Sequence, residues 1–349
     1  MQAMRIESVW CCPACRGSLV EAGQPTRLKC EGCSGEYWVA GGIPDLRVDR
    51  PAWLDIDEDR EAAARLDRDF ASKSLEAMVR AVFEAQPGRS QQQIDMRTRQ
   101  VLVAPGRLTT QLDGWLRGVT QQPGFLDLGC GPGMLLAAAA ARGVSGLGID
   151  VSLAWLVVAR KMIQQHGGQP SLCAAFAESL PLRDARVPGI VSLDVIEHVA
   201  DQARYLAEVD RVAADGAMIA LATPNRFSLA AEPHVHVWGV GWMPTRFQAR
   251  YVRARSGRTY DFVRLLSVPG LSLLLSRHTR FEGRFVVPPV PDEEIESMHA
   301  RRARLARLYN RLADSPLLRW PLLGVGPFFR YTGTARPVAE RTREVARAT

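Results

Sequence analysis

FLDLGCGPGMLLAAAAARGVSGLGID, residues 125–150, reads as strand, glycine turn, helix and strand. The apolar run Phe125 to Leu128 stops at Gly129, Gly131 and Gly133, where missing Cβ atoms let the backbone turn sharply and approach a ligand. Met134 to Arg142 holds only strong helix formers, Gly143 stands where a C-cap belongs, and Val144 to Ile149 makes a second buried strand. A parallel strand pair joined by a right-handed crossover brings the glycine turn and Asp150 to one rim of the sheet. A carboxylate there can hold the two hydroxyls of a ribose.

The glycine spacing separates two ligand classes. A dinucleotide turn needs a glycine three residues after its second, so that a pyrophosphate can rest on the helix N-terminus. That position is Met134. The run is instead Asp127-Leu-Gly129-Cys130-Gly131-Pro-Gly133, with an acid before the first glycine. An anion at the mouth of the turn repels a pyrophosphate and suits a ligand carrying an ammonium and a sulfonium. The run resembles motif I of the class I S-adenosylmethionine-dependent methyltransferases, D-x-G-x-G-x-G. The resemblance implies an α/β fold, a Rossmann-like seven-stranded sheet with helices on both faces. It also implies S-adenosylmethionine held by Asp127, Gly129, Cys130, Gly131, Gly133, Asp150 and Val151.

Phe176-Ala-Glu-Ser-Leu-Pro-Leu182 is similar to the family's D-A-x-x-L-P-F segment, with Phe176 where the aspartate is usual. The likeness implies that backbone at Ala177, or Glu178, meets the adenine amino group, with Phe176 against the ring. Asp194-Val-Ile-Glu-His-Val199 resembles the (E/D)-V-L-E-H-V segment of the ubiquinone-pathway O-methyltransferases. Asp194 then ends the fourth strand and faces the methionine end of the cofactor, while Glu197 and His198 begin the next helix. With an ordinary pKa of about 6.5, His198 can act as a general base on a hydroxyl. In some of those relatives the acids here are associated with a divalent cation. The plainer alternative is that Glu197 and His198 brace the helix N-terminus. Further on, His234 and His236 lie two apart in Glu232-Pro-His-Val-His-Val-Trp-Gly239, so an extended chain points them the same way. They can serve as two bases, a proton relay, two metal ligands, or supports for the loop.

Near the N-terminus, Cys12-Pro-Ala-Cys15 and Cys30-Glu-Gly-Cys33 form two C-x-x-C knuckles separated by fourteen residues. Two such turns complete a tetrahedral Cys₄ shell that is closed to water and therefore structural. Cys11 is the spare, and the proline after Cys12 favours Cys12 as the ligand. With the ending Gly42-Ile-Pro-Asp-Leu46, this part resembles the small zinc ribbon of the family that activates tRNA and protein methyltransferases. The resemblance implies a structural Zn²⁺ on Cys12, Cys15, Cys30 and Cys33.

These signals divide the 349 residues into a ribbon over 1–48, a helical cap or spacer over 49–122, a methyltransferase domain over 123–336 with an inserted substrate-side segment at 225–279, and a flexible tail at 337–349. Within the cap, helices are expected over 53–84 and 108–119, with a loop between 87 and 93. Hydrophobic residues make up 47% of the chain, enough for a sizeable core. No run of about eighteen apolar residues predicts a membrane span, and residues 1–15 hold no apolar signal core, so a cytoplasmic location is expected.

The net charge of +7 is unevenly placed: from Arg246 onward there are 20 Arg against 9 Asp or Glu, so the basic surface belongs to the C-terminal region. Apolar pieces near 265–275 and 317–329 lie among these arginines and would suit an anionic membrane surface or a lipidic substrate, or else form core. No N-P-P-Y follows the fourth strand, which argues against methylation of a base nitrogen in DNA. The expected function is O-methylation of a small-molecule acceptor bearing a natural-product, quinone, lipid or glycan hydroxyl. The alternatives are an RNA methyltransferase gripping phosphates with the ribbon and C-terminal arginines, and a non-catalytic cofactor-binding partner protein. The sequence does not set the oligomeric state.

Overall fold

A computed structural model describes residues 9–338 apart from 24–26, 49, 50, 52, 87, 122, 123 and 316. Of the expected tail, 339–349 therefore lies outside the described residues.

The quoted stretch folds as strand β5 (Phe125–Leu128), helix Met134–Ala140 and strand β6 (Gly146–Asp150), with β5 and β6 parallel. Around them run β7 (Ser171–Ala174), β8 (Val187–Leu193), β9 (Ala213–Pro224), β10 (Phe281–Val286) and β11 (Phe328–Ala335). Their order in space is β7-β6-β5-β8-β9-β11-β10, the expected seven strands, and only β11 runs antiparallel to its neighbours β9 and β10. The order reverses between β5 and β8, and a ligand crevice forms beyond the strand ends at such a switch point.

Alternation along the strands supplies both faces with apolar side chains. Leu172, Ala174, Val191 and Ala220 pack with the helices Leu75–Glu84, Gln91–Asp113, Met134–Ala140 and Leu153–Gln165. Cys173, Ala175, Ile190, Ile219 and Leu221 face the other way, onto the helices Gln202–Val212 and Val268–His278. Tyr205 is fully buried there because its hydroxyl donates to Ser192 Oγ at 2.7 Å.

The ribbon joins the same sheet. Strands β1 (Leu19–Ala22), β2 (Arg27–Cys30), β3 (Glu36–Ala40) and β4 (Ile43–Asp45) form an antiparallel ladder, and β4 pairs parallel with β7 through Asp45 and Ala174. Leu46 N–H donates to Ala174 O at 2.8 Å, covering backbone groups that an edge strand would leave open. One residue on, Arg47 is fully buried between Asp45 and Asp59, at 2.8 and 2.6 Å, and also donates to Val151 O at 2.9 Å. Asp59, on the helix Ile56–Arg68, in turn accepts from Leu153 N–H at 2.8 Å. A charged cluster thus ties the ribbon, the cap and the end of β6 together.

Several local expectations are corrected. The loop expected to run to residue 93 ends earlier, because Ser90 and Gln93 form a reciprocal capping box that starts a helix at Gln91. Glu197 and His198 do not begin a helix: they occupy a turn, and Asp201 caps the helix that starts at Gln202, accepting from Ala203 and Arg204 N–H. The stretch holding His234 and His236 is a turn rather than an extended chain, since the Glu232 carboxylate accepts from the N–H groups of His234 and Val235 and its carbonyl from that of His236. The apolar pieces among the arginines split: Leu271 and Leu275 are core, whereas Leu317 is 83% exposed and Trp320 66%. No described helix is long and apolar enough to cross a membrane.

Candidate active site

At the carboxyl ends of β5, β6 and β8 lies a cavity of about 300 Å³ whose wall includes Gly129, Asp150, Val151, Ala175 to Glu178, Asp194 and His198. Gly129, Gly131 and Gly133 have φ of 80°, 49° and 77°, the left-handed region that side chains disfavour. A Cβ on Gly129 would lie 2.2 Å from Val195 Cγ2, whereas one on Gly131 would meet open space. The turn is therefore pressed against the β8 side at its first glycine and open to a ligand at its second. Asp150 is aimed at that opening: Gly131 N–H donates to its Oδ2 at 2.8 Å and Ser152 N–H to its Oδ1 at 2.9 Å. Burial raises its pKa against these two hydrogen bonds, and each oxygen keeps a lone pair for a hydroxyl donor.

Asp127 departs from the picture of an anion at the mouth. It is 5% exposed, stands outside the residues that line the cavity, and accepts no hydrogen bond among the described residues. Burial, with Asp150 nearby, pushes its pKa up to about 8, so the free protein at neutral pH holds it mostly protonated. Cys130 is buried as well, its thiol pushed far up by desolvation.

At the other end, Phe176, Ala177 and Glu178 all line the cavity. One oxygen of Glu178 is engaged, its Oε1 accepting from Ala200 N–H at 2.8 Å and Asp201 N–H at 3.4 Å, so the carboxylate is fixed in place with Oε2 left to the cavity side. Trp53 sets its edge on Phe176 at 6.2 Å and meets Phe262 at 6.3 Å, so one aromatic from the cap and one from the inserted segment cover this end. Neither was singled out as a site residue from the sequence, because a lone aromatic carries no motif, and Trp53 stands in a turn ahead of the helix that starts at Ile56.

Asp194 stands at a junction. It has φ 56°, unusual for a side-chain-bearing residue, and lines both this cavity and a second one of about 410 Å³. Beside it, Glu197, His198 and His234 place a ligand atom each within 4.8 Å of one another. Glu197 is fully buried, its Oε2 accepting from Thr223 Oγ1 at 2.9 Å while Oε1 has no partner among the described residues. Burial, with Asp194 nearby, raises its pKa to about 7. The ring of His198 opens to the cavity and meets that of His234 edge-on at 4.7 Å. Desolvation and His234 lower the pKa of His198 to about 4, so it is neutral at neutral pH. His234 Nδ1 contacts the Glu232 carboxylate, which outweighs burial and raises its pKa. His236 is exposed, as His198 is, with φ 57°, but is not part of this cluster.

The four ribbon cysteines converge, all sulfurs lying within 4.8 Å of one another, with Cys12 and Cys33 3.6 Å apart and Cys15 and Cys30 3.3 Å apart. A tetrahedron with bonds of about 2.3 Å has edges of about 3.8 Å. Gly32 and Cys33 N–H point at Cys30 Sγ, 3.3 and 3.5 Å away, as suits a thiolate on a metal. Cys11 is outside the group, its N–H donating to Pro181 O. This donor set fits Zn²⁺, which would cross-link the two knuckles.

Residues 126–221 match the protein family described as a methyltransferase domain. Among curated proteins, the ubiquinone biosynthesis O-methyltransferase of Nitrosomonas europaea is 33% identical over 33% of this chain and 49% of its own length. A "Probable S-adenosylmethionine-dependent methyltransferase" of Mycolicibacterium smegmatis is 38% identical over 30% of this chain and 39% of its own length. The chain thus spans at most about half the length of these relatives. Among solved structures, phosphoethanolamine N-methyltransferase 2 of Haemonchus contortus superposes with a TM-score of 0.43 at 14% identity, over 65% of this chain and 52% of that one.

Proposed function

We propose that this chain, built on a class I S-adenosylmethionine-dependent methyltransferase core, methylates an oxygen of a small-molecule acceptor. The observation that carries the reading is a single crevice with Gly129 of the glycine turn and Asp150 in its wall, Phe176 and Ala177 beside them, and Asp194, which a second cavity shares. In this reading Asp150 holds the ribose hydroxyls, backbone at Ala177 reads the adenine, and Gly129 to Gly133 cradle the methionine part. S-adenosylmethionine supplies a methyl already activated by its sulfonium, so the protein's share is to place the acceptor oxygen in line and take its proton. His198, neutral and open to the cavity, accepts that proton.

In a metal-assisted alternative, Glu197 Oε1, His198 and the free nitrogen of His234 would hold a divalent cation, which the buried oxygen without a partner among the described residues fits, and His198 would then be a ligand in place of the base. Such an ion would favour the acceptor hydroxyl in its deprotonated form. The ribbon, with Zn²⁺ on Cys12, Cys15, Cys30 and Cys33, has a structural role. The exposed Leu305, Leu308, Leu317 and Trp320 stand among exposed arginines of the helix Ala300–Asp314, and this mixture favours a lipidic acceptor or an anionic membrane surface over RNA.

The test is transfer of a labelled methyl from S-adenosylmethionine into small molecules extracted from cells that make the protein. Label in the organic-soluble fraction that disappears with His198→Ala supports the reading. Label in RNA supports the RNA alternative, and cofactor binding without any transfer supports a non-catalytic partner protein.

A further inference from the structure

Resting on the methyltransferase reading, we propose that the second cavity is the acceptor site and selects an acceptor with an apolar body and an anionic group, the anion meeting Arg330. The cavity holds about 410 Å³, room for a molecule of metabolite size, and touches the cofactor cavity at Asp194, where the methyl is delivered. Its wall is largely apolar or aromatic, with Leu108, Trp115, Pro289, Val290 and Tyr309 drawn from three separate parts of the chain. Arg330 enters this wall from β11, its guanidinium stacked over the Trp115 ring at 4.3 Å.

Arg330 stands apart from the other buried arginines. Arg47, Arg211 and Arg280 each sit against carboxylates at 2.6 to 2.8 Å. Arg330 makes no direct hydrogen bond or ion pair to a carboxylate or carbonyl among the described residues, although it is half-buried, and the charge of Asp194 acts on it only through space. A half-buried cation with no direct acceptor keeps its hydrogen-bonding capacity for a ligand, and a planar fork of N–H donors beside an apolar cavity matches a carboxylate or phosphate. Stacking on Trp115 fixes the plane of the fork and leaves its edge to a ligand. Asp194 is close enough to Arg330 for the two charges to act on each other and lines the cofactor cavity as well, so an anionic acceptor is drawn to Arg330, kept off Asp194 by like charge, and left with its nucleophile toward the cofactor.

The experiment uses the whole protein saturated with S-adenosylhomocysteine and three probes of one shape: 2-naphthoate, 2-naphthyl phosphate and the uncharged 2-naphthamide. Calorimetry is expected to show at least one of the two anions binding tenfold or more tighter than the amide. The better anion tells carboxylate from phosphate. Arg330→Gln should abolish the preference, and Arg330→Lys should restore part of it, with S-adenosylhomocysteine affinity unchanged in both. An amide that binds as well as both anions to the unaltered protein overturns the inference, and this needs no variant to fold. So does a preference that survives Arg330→Gln. Absence of S-adenosylhomocysteine binding to the unaltered protein would instead strike the methyltransferase reading itself.

Discussion

Between pH 5.5 and 7.5, affinity for S-adenosylmethionine should climb by up to about tenfold per pH unit, the limit reached when the complex holds Asp127 ionised throughout, and the cause is Asp127. Its carboxyl is 5% exposed, accepts no hydrogen bond among the described residues, and keeps its proton up to about pH 8 in the free protein. A ligand that brings an ammonium and a sulfonium to the glycine turn favours the ionised form. The sign then follows: the free protein holds a proton below pH 8 that the complex gives up, so binding releases a proton and strengthens as the pH rises toward 8. At that limit two pH units correspond to about 100-fold, or about 2.7 kcal/mol at 1.36 kcal/mol per unit. Titration calorimetry at pH 6.5 in two buffers of different ionisation enthalpy should report close to one proton released. Burial raises Asp150 as well, so the variant Asp127→Asn assigns the proton: it should flatten the pH dependence and cut the release. Equal heats in both buffers, with affinity flat from pH 5.5 to 7.5, would show that Asp127 does not sense the ligand's charge.

Three further outcomes are expected. The purified protein should carry about one zinc per chain by elemental analysis, and Cys30→Ser should lose it, because Cys30 also receives the N–H groups of Gly32 and Cys33. His198→Ala should lower kcat by about 10² to 10⁴ while changing cofactor affinity little, and His236→Ala should leave kcat within a few-fold, as befits an exposed ring outside the cluster; equal losses in the two variants would remove His198 from the base role. Arg47→Leu should destabilise the fold by about 3 kcal/mol in denaturant titration, since it leaves Asp45 with Arg60 alone and Asp59 without a cation; a loss under 1 kcal/mol would mean that water reaches them.

The sequence by itself determined the β5–helix–β6 unit and Asp150, because a glycine turn, a run of helix formers and an acid at a strand end are local signals within 26 residues. It likewise chose Cys12, Cys15, Cys30 and Cys33, whose spacing fixes which thiols can meet. Other local expectations gave way to neighbouring side chains that claim the same backbone N–H groups. Asp201 took the helix start from Glu197, and Glu232 curled the His234 segment that alternation would have kept straight. Only the tertiary structure decided that Asp127 lies behind the wall with its pKa pushed up by burial, that His198 pairs with His234 rather than His234 with His236, and that Arg330 faces a cavity with no direct acceptor among the described residues. Charge state and partnership depend on what is removed from water and what lies opposite, and those neighbours come from segments tens to hundreds of residues apart.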